Sequence, residues 1–448
     1  MIDNPMFQES IKMTPSKWFN TIWVFFFIFI ANPCGAFDFE VLTLKLSQRY
    51  EKRVNKIALK NGMTFILFYR KESPTVTLHI RNRVGSVYDK PDQIGTAHML
   101  EHMMAKGTHR IGIQNYQKAQ TSKDSTQYII TLAPQSLELW AKIESDRMQN
   151  LVFRGFYKER DVILEERLKT YRNSPMNLLK EKLLKKAFPD SPYGQSNIGT
   201  AKEIQSLSPS ILRAFYKDYY RPKNFIITIV GNFNPQRMSE IIDQYFASIP
   251  SGKQTEPVKM TSHRPMNKKN VSIEGKENII MVGFYAPPAT DLSAYPLRVI
   301  KAILIRSVQS RLYRSLVAND LAHSVRVYSL PGVKSTHLFT IIVKAKRNYF
   351  IKSIEKIVFS EILMLKKIKK RELLRAKYYI YDDFIRDLSS DIALAGDLSY
   401  FEDVYSDWKD FFNFPDRIKQ VKLKDIQRVV DQYMVSGNSI AGIMRSTH

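Results

Sequence analysis

The chain has 448 residues, too many for one hydrophobic core, so two or three folding units are expected. Its 44% apolar and 25% charged residues exclude a disordered chain and a multi-span membrane protein, and its single cysteine excludes a disulfide scaffold. The formal charge of +25 admits an anionic partner (nucleic acid, anionic lipid, acidic peptide) or a solvated lysine-rich surface, and does not choose between them.

At the N-terminus, Lys12 and Lys17 precede an apolar run over residues 22–31. This is the pattern of an export signal, and small residues at Cys34 and Ala36 offer a cleavage point before Phe37. Residues 1–36 are therefore read as a signal peptide, and the mature chain as periplasmic with no stable membrane span. The run falls short of the about 20 residues a spanning helix requires; an uncleaved membrane anchor is the alternative.

Beyond the leader, VNKIALKNGMTFILFYRK alternates on both sides of Asn61-Gly62 and predicts a hairpin with a tight two-residue turn. A strand over 75–89 follows, then a helix from Thr96 to Lys106 between Gly95 and Gly107. STQYIITLAP (125–134) reads as a strand, and SLELWAKIESDRMQNL, FYKERDVILEERLKTYR and MNLLKEKLLKKAF have helical apolar spacing. NFIITIVGNF (224–233) is a buried strand that closes the first half. A polar, Pro-bearing stretch, taken as 251–270, is read as a linker. The second half restarts in the same style, with strands at 278–287, HSVRVYSLPG and 337–345, helices around 293–319, and long helices after Tyr349. The run KKIKKRELLRAK (366–377) reads as one charged helix face; it lacks the aromatic interleaving of single-strand nucleic-acid binders, so no nucleic-acid partner is expected.

The chemistry concentrates in GTAHMLEHMMAKGT (95–108). On a helix, residues i and i+4 share a face about 6 Å apart, so His98 and His102 can turn a nitrogen toward one ion, and Glu101 reaches the same neighbourhood. Imidazole suits zinc, and a catalytic zinc takes three protein ligands with a fourth position left for water. In YKERDVILEERLKTY, Glu159 and Glu166 stand seven apart on one face and are the candidates for the third ligand. Glu101, beside the water rather than on the metal, is suited to act as general base. HxxEH inverts the commoner HExxH and keeps base and ligands on one helical face. By composition alone the pattern arises in roughly one such chain in a hundred.

These segments resemble the pitrilysin/insulinase family of inverzincin zinc metallopeptidases, in particular the short-subunit branch that includes mitochondrial processing peptidase and bacterial periplasmic relatives. GTAHMLEHMMAKGT resembles the zinc helix, which implies His98 and His102 as ligands and Glu101 as base. ERDVILEERLKTYRNSP resembles the helix that supplies the last ligand, implying Glu166 in that role and Glu159 as the carboxylate behind the ligands. Residues 191–235, SVQSRLYRSLVANDLAHSV and RELLRAK resemble further landmarks, so the likeness spans nearly the whole chain after about residue 50. It implies an α+β fold of two homologous domains, each a mainly antiparallel sheet with helices packed on it, together forming half of a clamshell. The expected domains are 37–250 and 271–448. A substrate peptide would add as a strand to a sheet edge of the zinc domain.

Two departures stand out. Only 63 residues separate His102 from Glu166, an interval shorter than the family's, and the loss falls before KAQTSKDSTQY. There Lys118 takes the family's asparagine position, while Ala119, Thr121 and Ser122 persist as expected substrate-strand residues. The family's Arg and Tyr of the second half are replaced by Val317 and His323. Resemblance therefore implies the zinc-bearing subunit of a heterodimer whose zinc-free partner supplies that pair, or a homodimer. The rival reading is a non-catalytic binding or assembly subunit; a basic envelope or nucleic-acid binder is a second rival. His109 reads as a solvent-facing loop residue, Tyr116 and Tyr128 as core, and His79, His263, His337 and His448 have no partner spacing.

Overall fold

A computed structural model describes residues 39–112, 116–252, 255–256, 258, 269–346 and 351–446. The expected signal peptide, most of the expected linker, His263 and His448 lie outside these residues.

The first half contributes α1 (Phe39–Glu51), β1 (Val54–Ala58), β2 (Thr64–Tyr69), β3 (Val76–Asn82), α2 (Thr96–Met104), β4 (Lys118–Thr121), β5 (Thr126–Leu132), α3 (Leu137–Asn150), α4 (Phe156–Asn173), α5 (Pro175–Ala187), α6 (Ala201–Ser206), α7 (Pro209–Tyr219), β6 (Phe225–Gly231) and α8 (Pro235–Phe246). Its sheet has the order β1-β2-β6-β3-β5-β4, with β2 and β6 parallel and the other neighbours antiparallel. The hairpin at Asn61-Gly62 forms, but its loop is wider than the two residues expected, since Leu59 N–H donates to the Met63 carbonyl. Asn61 explains the width: its Oδ1 accepts from Met63 N–H, while its Nδ2 donates to the carbonyls of Phe246 (2.7 Å) and Ile249 (3.0 Å) and ties the loop to the end of α8. The strand expected over 75–89 stops at Asn82. Gly85 then passes so close to the β4–β5 turn that a Cβ there would sit 2.4 Å from the Lys123 carbonyl, and Ser86 and Val87 N–H donate to Ser122 and Lys123.

The second half contributes β7 (Lys269–Gly275), β8 (Asn278–Ala286), α9 (Ala294–Ile305), β9 (Ala322–Leu330), β10 (His337–Ala345), α10 (Ile351–Leu363), α11 (Lys370–Ser389), α12 (Asp391–Val404), α13 (Lys409–Gln420), α14 (Leu423–Tyr433) and β11 (Ser439–Ser446). The sheet order is β7-β11-β8-β10-β9, with β7 and β11 parallel. Without β1, the first sheet has the same order and the same single parallel pair. The two halves therefore share one plan, in which α2 and α9 occupy the same place between strands. β7 and β11 are not anticipated by the sequence reading: β7 carries Lys, Asn and Glu that hide its alternation, and β11 contains a central glycine.

Each sheet is covered on both faces, which is why its inner strands read as near-continuous apolar runs. In β2, Phe65 and Leu67 join the core under α2, while Ile66 and Phe68 face helices of the second half. In β8, Ile280, Val282 and Phe284 face those same helices, while Ile279, Met281 and Tyr285 pack with Leu179 and Leu183 of α5. The covering is reciprocal: α12 of the second half lies across β3 and β6, and α5 of the first half lies across β7 and β11. Polar contacts fasten this seam. Asp403 receives Arg81 Nε across it (2.8 Å) and is steadied from its own half by Lys334 Nζ (2.6 Å), and Arg70 donates to the carbonyls of Leu388 and Ser389 at the end of α11.

The basic run 366–377 is not the single helix face expected. A 3₁₀ turn over Met364–Lys367 separates α10 from α11, and Lys377 is buried with its ammonium donating to the Lys419 carbonyl (2.6 Å). No helix among the described residues is long and apolar enough to cross a membrane.

Candidate metal centre

α2 is fixed at its start by Asp89, whose two carboxylate oxygens accept from the backbone N–H of Gly95 (2.8 Å) and Ala97 (2.9 Å). Those donors would otherwise be buried without partners. Burial pushes the Asp89 carboxyl up to about 7 against these bonds. Met99, Leu100, Met103 and Met104 enter the core, so His98 and His102, one turn apart, are left to face α4. α4 is anchored by buried Phe156 and Ile163, and Ile163 lies between Glu159 and Glu166 on the face turned toward α2.

One ligand atom from each of His98, His102 and Glu166 lies within 4.8 Å of the other two. Glu166 Oε2 stands 3.8 Å from His98 Nε2 and 3.5 Å from His102 Nε2, and the two rings are 4.8 Å apart at 72°. Atoms about 2.1 Å from a tetrahedral ion lie about 3.4 Å from one another, so the set has the spacing of a zinc cage with little adjustment required. Glu159 Oε1 accepts from His102 Nδ1 (2.9 Å), which assigns the proton to Nδ1 and leaves the Nε2 lone pair turned toward Glu166. Lone pairs converging on one point require a cation between them, so the residues fit the metal. His98 Nδ1 is buried without a hydrogen-bond partner among the described residues.

The electrostatics agree. Burial holds His98 down at about 4, with the neighbouring His102 adding to the effect. Burial also lowers His102, yet its hydrogen bonds with Glu159 and Glu166 outweigh that and hold it at about 9. Glu159 is held down at about 2, first by its bond with His102 and then, against burial, by Lys106; Glu166 is lowered by the same ring. Glu101 is raised by burial, opposed by a 2.6 Å hydrogen bond from the Thr121 hydroxyl, the direction a carboxylate requires to act as a base near neutral pH. The side chains of His98, His102 and Glu166 remain 13%, 22% and 24% exposed, so the cluster is reachable from solvent.

β4 forms one edge of the first sheet, paired to β5 alone among the described residues. Ala119 lies opposite Tyr128, but two side chains expected on the substrate strand turn inward: Thr121 to Glu101, and Ser122 to the Ser125 carbonyl within the β4–β5 turn. What the edge offers a peptide is its main chain. Val317 lies in a π-helical turn before β9, and His323 is exposed on β9. His109 is an exposed loop residue. Tyr116 stacks near Tyr128 (4.5 Å) and donates to buried Glu144. His79 is buried at the seam between Ser399 and Gln127, and His337 is buried at the start of β10. Asp89 and Lys106, which hold the site's framework, are not picked out by the sequence reading; an acid ahead of a helix start was the available signal for Asp89.

Two family models match consecutive stretches of the chain: insulinase (peptidase family M16) at residues 65–201 and peptidase M16 inactive domain at 206–378. The chain is 24% identical over 412 residues to zinc protease PqqE of Helicobacter pylori, covering 86% of this chain and 91% of that protein. It is 21% identical over 402 residues to the probable mitochondrial-processing peptidase subunit beta of Arabidopsis thaliana, covering 84% and 75%. The fold is similar to that of a protease from Helicobacter pylori solved by crystallography, with a TM-score of 0.82 at 24% identity over 88% of this chain and 99% of that one. With both halves of the chain matched, it belongs to the insulinase family, peptidase family M16.

Proposed function

We propose that the chain is the zinc-binding subunit of a metalloendopeptidase that hydrolyses short or unfolded peptides in an enclosed chamber. The observation that carries this reading is the approach of Glu166 Oε2 to His98 Nε2 (3.8 Å) and His102 Nε2 (3.5 Å), one ligand atom from each residue lying within 4.8 Å of the others, with Glu101 on the helix of the two histidines. The relatives named zinc proteases support zinc as the ion. Zinc held there supplies Lewis acidity, bringing the pKa of a water toward about 7 and polarising the scissile carbonyl. Glu101 takes the proton of the attacking water and returns it to the leaving amine. Thr121 holds that carboxylate in place through its hydroxyl, and Glu159 keeps the His102 lone pair directed inward. The peptide is aligned by main-chain hydrogen bonds to the free edge of β4, which places its backbone beside Glu101. Completeness of this set favours catalysis over a purely binding subunit.

In this reading residues 37–250 form the zinc domain and 271–448 the second domain of one jaw, joined through 251–270. A zinc-free homologous subunit closes on it and supplies the Arg and Tyr that Val317 and His323 replace; the relative named as a subunit of a processing peptidase supports that arrangement. The export signal read over residues 1–36 supports a periplasmic location for the mature subunit. The test is hydrolysis of an internally quenched peptide by the chain alone and with a co-expressed partner. Activity is expected to rise with the partner and to fall at least about 100-fold in Glu101→Gln, with zinc retained. Undiminished turnover in that variant would refute the assigned base.

A further inference from the structure

The turn between α10 and α11 gathers charge that the metal site does not use. The 3₁₀ turn over Met364–Lys367 has three residues per turn, so residues three apart share a face. Ile362, Leu365 and Ile368 are all buried. The residues between them, Leu363 and Met364, then Lys366 and Lys367, point outward, and Lys369, Lys370 and Arg371 that follow are exposed as well. Leu363 is 54% and Met364 46% exposed. The two acids that bound the run are committed elsewhere, Glu361 to Ser315 and Arg311, and Glu372 to Arg311 through both oxygens at 2.9 Å. Lys366 pairs with Asp431; Lys367, Lys369, Lys370 and Arg371 have no acidic partner among the described residues.

A solvated lysine surface or a groove for duplex phosphates has no use for two large apolar side chains in its midst, and a single-strand surface would present planar side chains for stacking. Apolar side chains ringed by ammonium groups match a bilayer surface, where the former enter the acyl boundary and the latter meet lipid phosphates. We propose that the turn from Leu363 to Arg371 docks the protein on the surface of an anionic phospholipid bilayer.

The experiment is co-sedimentation of the full chain with phosphatidylcholine vesicles, with and without phosphatidylglycerol, over a salt series. An N-terminal apolar segment, where retained, binds both lipids, so the readout is the gain on adding phosphatidylglycerol. Each lysine removed in Lys366→Gln, Lys367→Gln, Lys369→Gln and Lys370→Gln is expected to weaken that gain about five-fold at low salt. Leu363→Ser with Met364→Ser is expected to weaken it about ten-fold. A gain unchanged by either set overturns the proposal, as does a lysine set that abolishes duplex DNA binding while the lipid gain persists. A fluorophore on Leu363→Cys in a Cys34→Ser chain is expected to shift to the blue on the anionic vesicles; unshifted emission overturns the proposal independently of the variants.

Discussion

Glu159 and Glu101 show how two carboxylates close to one centre are set for different work. Glu159 is tied to His102 and Lys106 and held at about 2, so it stays an acceptor at every pH at which the protein works. Glu101 is raised by burial and restrained by Thr121, so it can exchange a proton. Replacing Glu159 with Gln removes the charge behind His102 and is expected to weaken zinc about 10- to 100-fold, measured by competition with a chromophoric chelator; an unchanged affinity would assign Glu159 a purely structural role. The pairing of His98 with His102 on one helix face was legible because i, i+4 spacing dictates a shared face whatever surrounds it. The choice between Glu159 and Glu166 was not legible from spacing, because both lie on the same face of α4. It rests on which carboxylate lies level with the Nε2 atoms and which with Nδ1, a matter of how α2 and α4 cross.

At the scale of elements, α2 depends on a residue outside it. Asp89→Ala leaves the Gly95 and Ala97 N–H groups buried without acceptors, so a loss of about 1 to 2 kcal/mol is expected, together with weaker zinc retention. Asp89→Asn keeps one acceptor for two N–H groups and sets its amide NH2 against the other, so it is expected to recover only part of both; urea unfolding with metal analysis checks the pair, and an Asn variant as damaged as the Ala variant would contradict the capping role. Strongly periodic elements such as α3, α4, α5 and β10 were legible because each buries one face or both. β7 and β11 were hidden, since the Lys, Asn and Glu of β7 and the central glycine of β11 break the apolar pattern that marks the other strands. The charged run at 366–377 was misread because lysine content signals exposure, not geometry, and the buried Ile362, Leu365 and Ile368 set the turn.

At the scale of the molecule, the halves are joined by exchange of helices, so seam groups report on the whole fold. Burial, with Arg81 adding to it and the Gln127 hydrogen bond opposing it, holds folded His79 at about 3 from an ordinary 6.5; Lys118 also disfavours the charged ring, and Ser399 meets its other nitrogen. The unfolded chain takes up that proton first, so stability is full above about 6.5 and is lost as pH falls toward 3. Between pH 7 and 4.5 the wild type is expected to lose about 2 kcal/mol more than His79→Gln in urea unfolding; equal losses would show that His79 is not protonation-resistant. The common plan of the two halves was legible in the recurrence of elements, whereas the reciprocal packing was not, since no local pattern names a distant partner. The central claim, one zinc held between α2 and α4, is tested most directly by anomalous diffraction at the zinc edge from crystals of the zinc-loaded protein. A single peak about 2.0 to 2.2 Å from His98 Nε2, His102 Nε2 and a Glu166 carboxylate oxygen is the expected result, and a map with no peak there, or with the ion bound without Glu166, would contradict it.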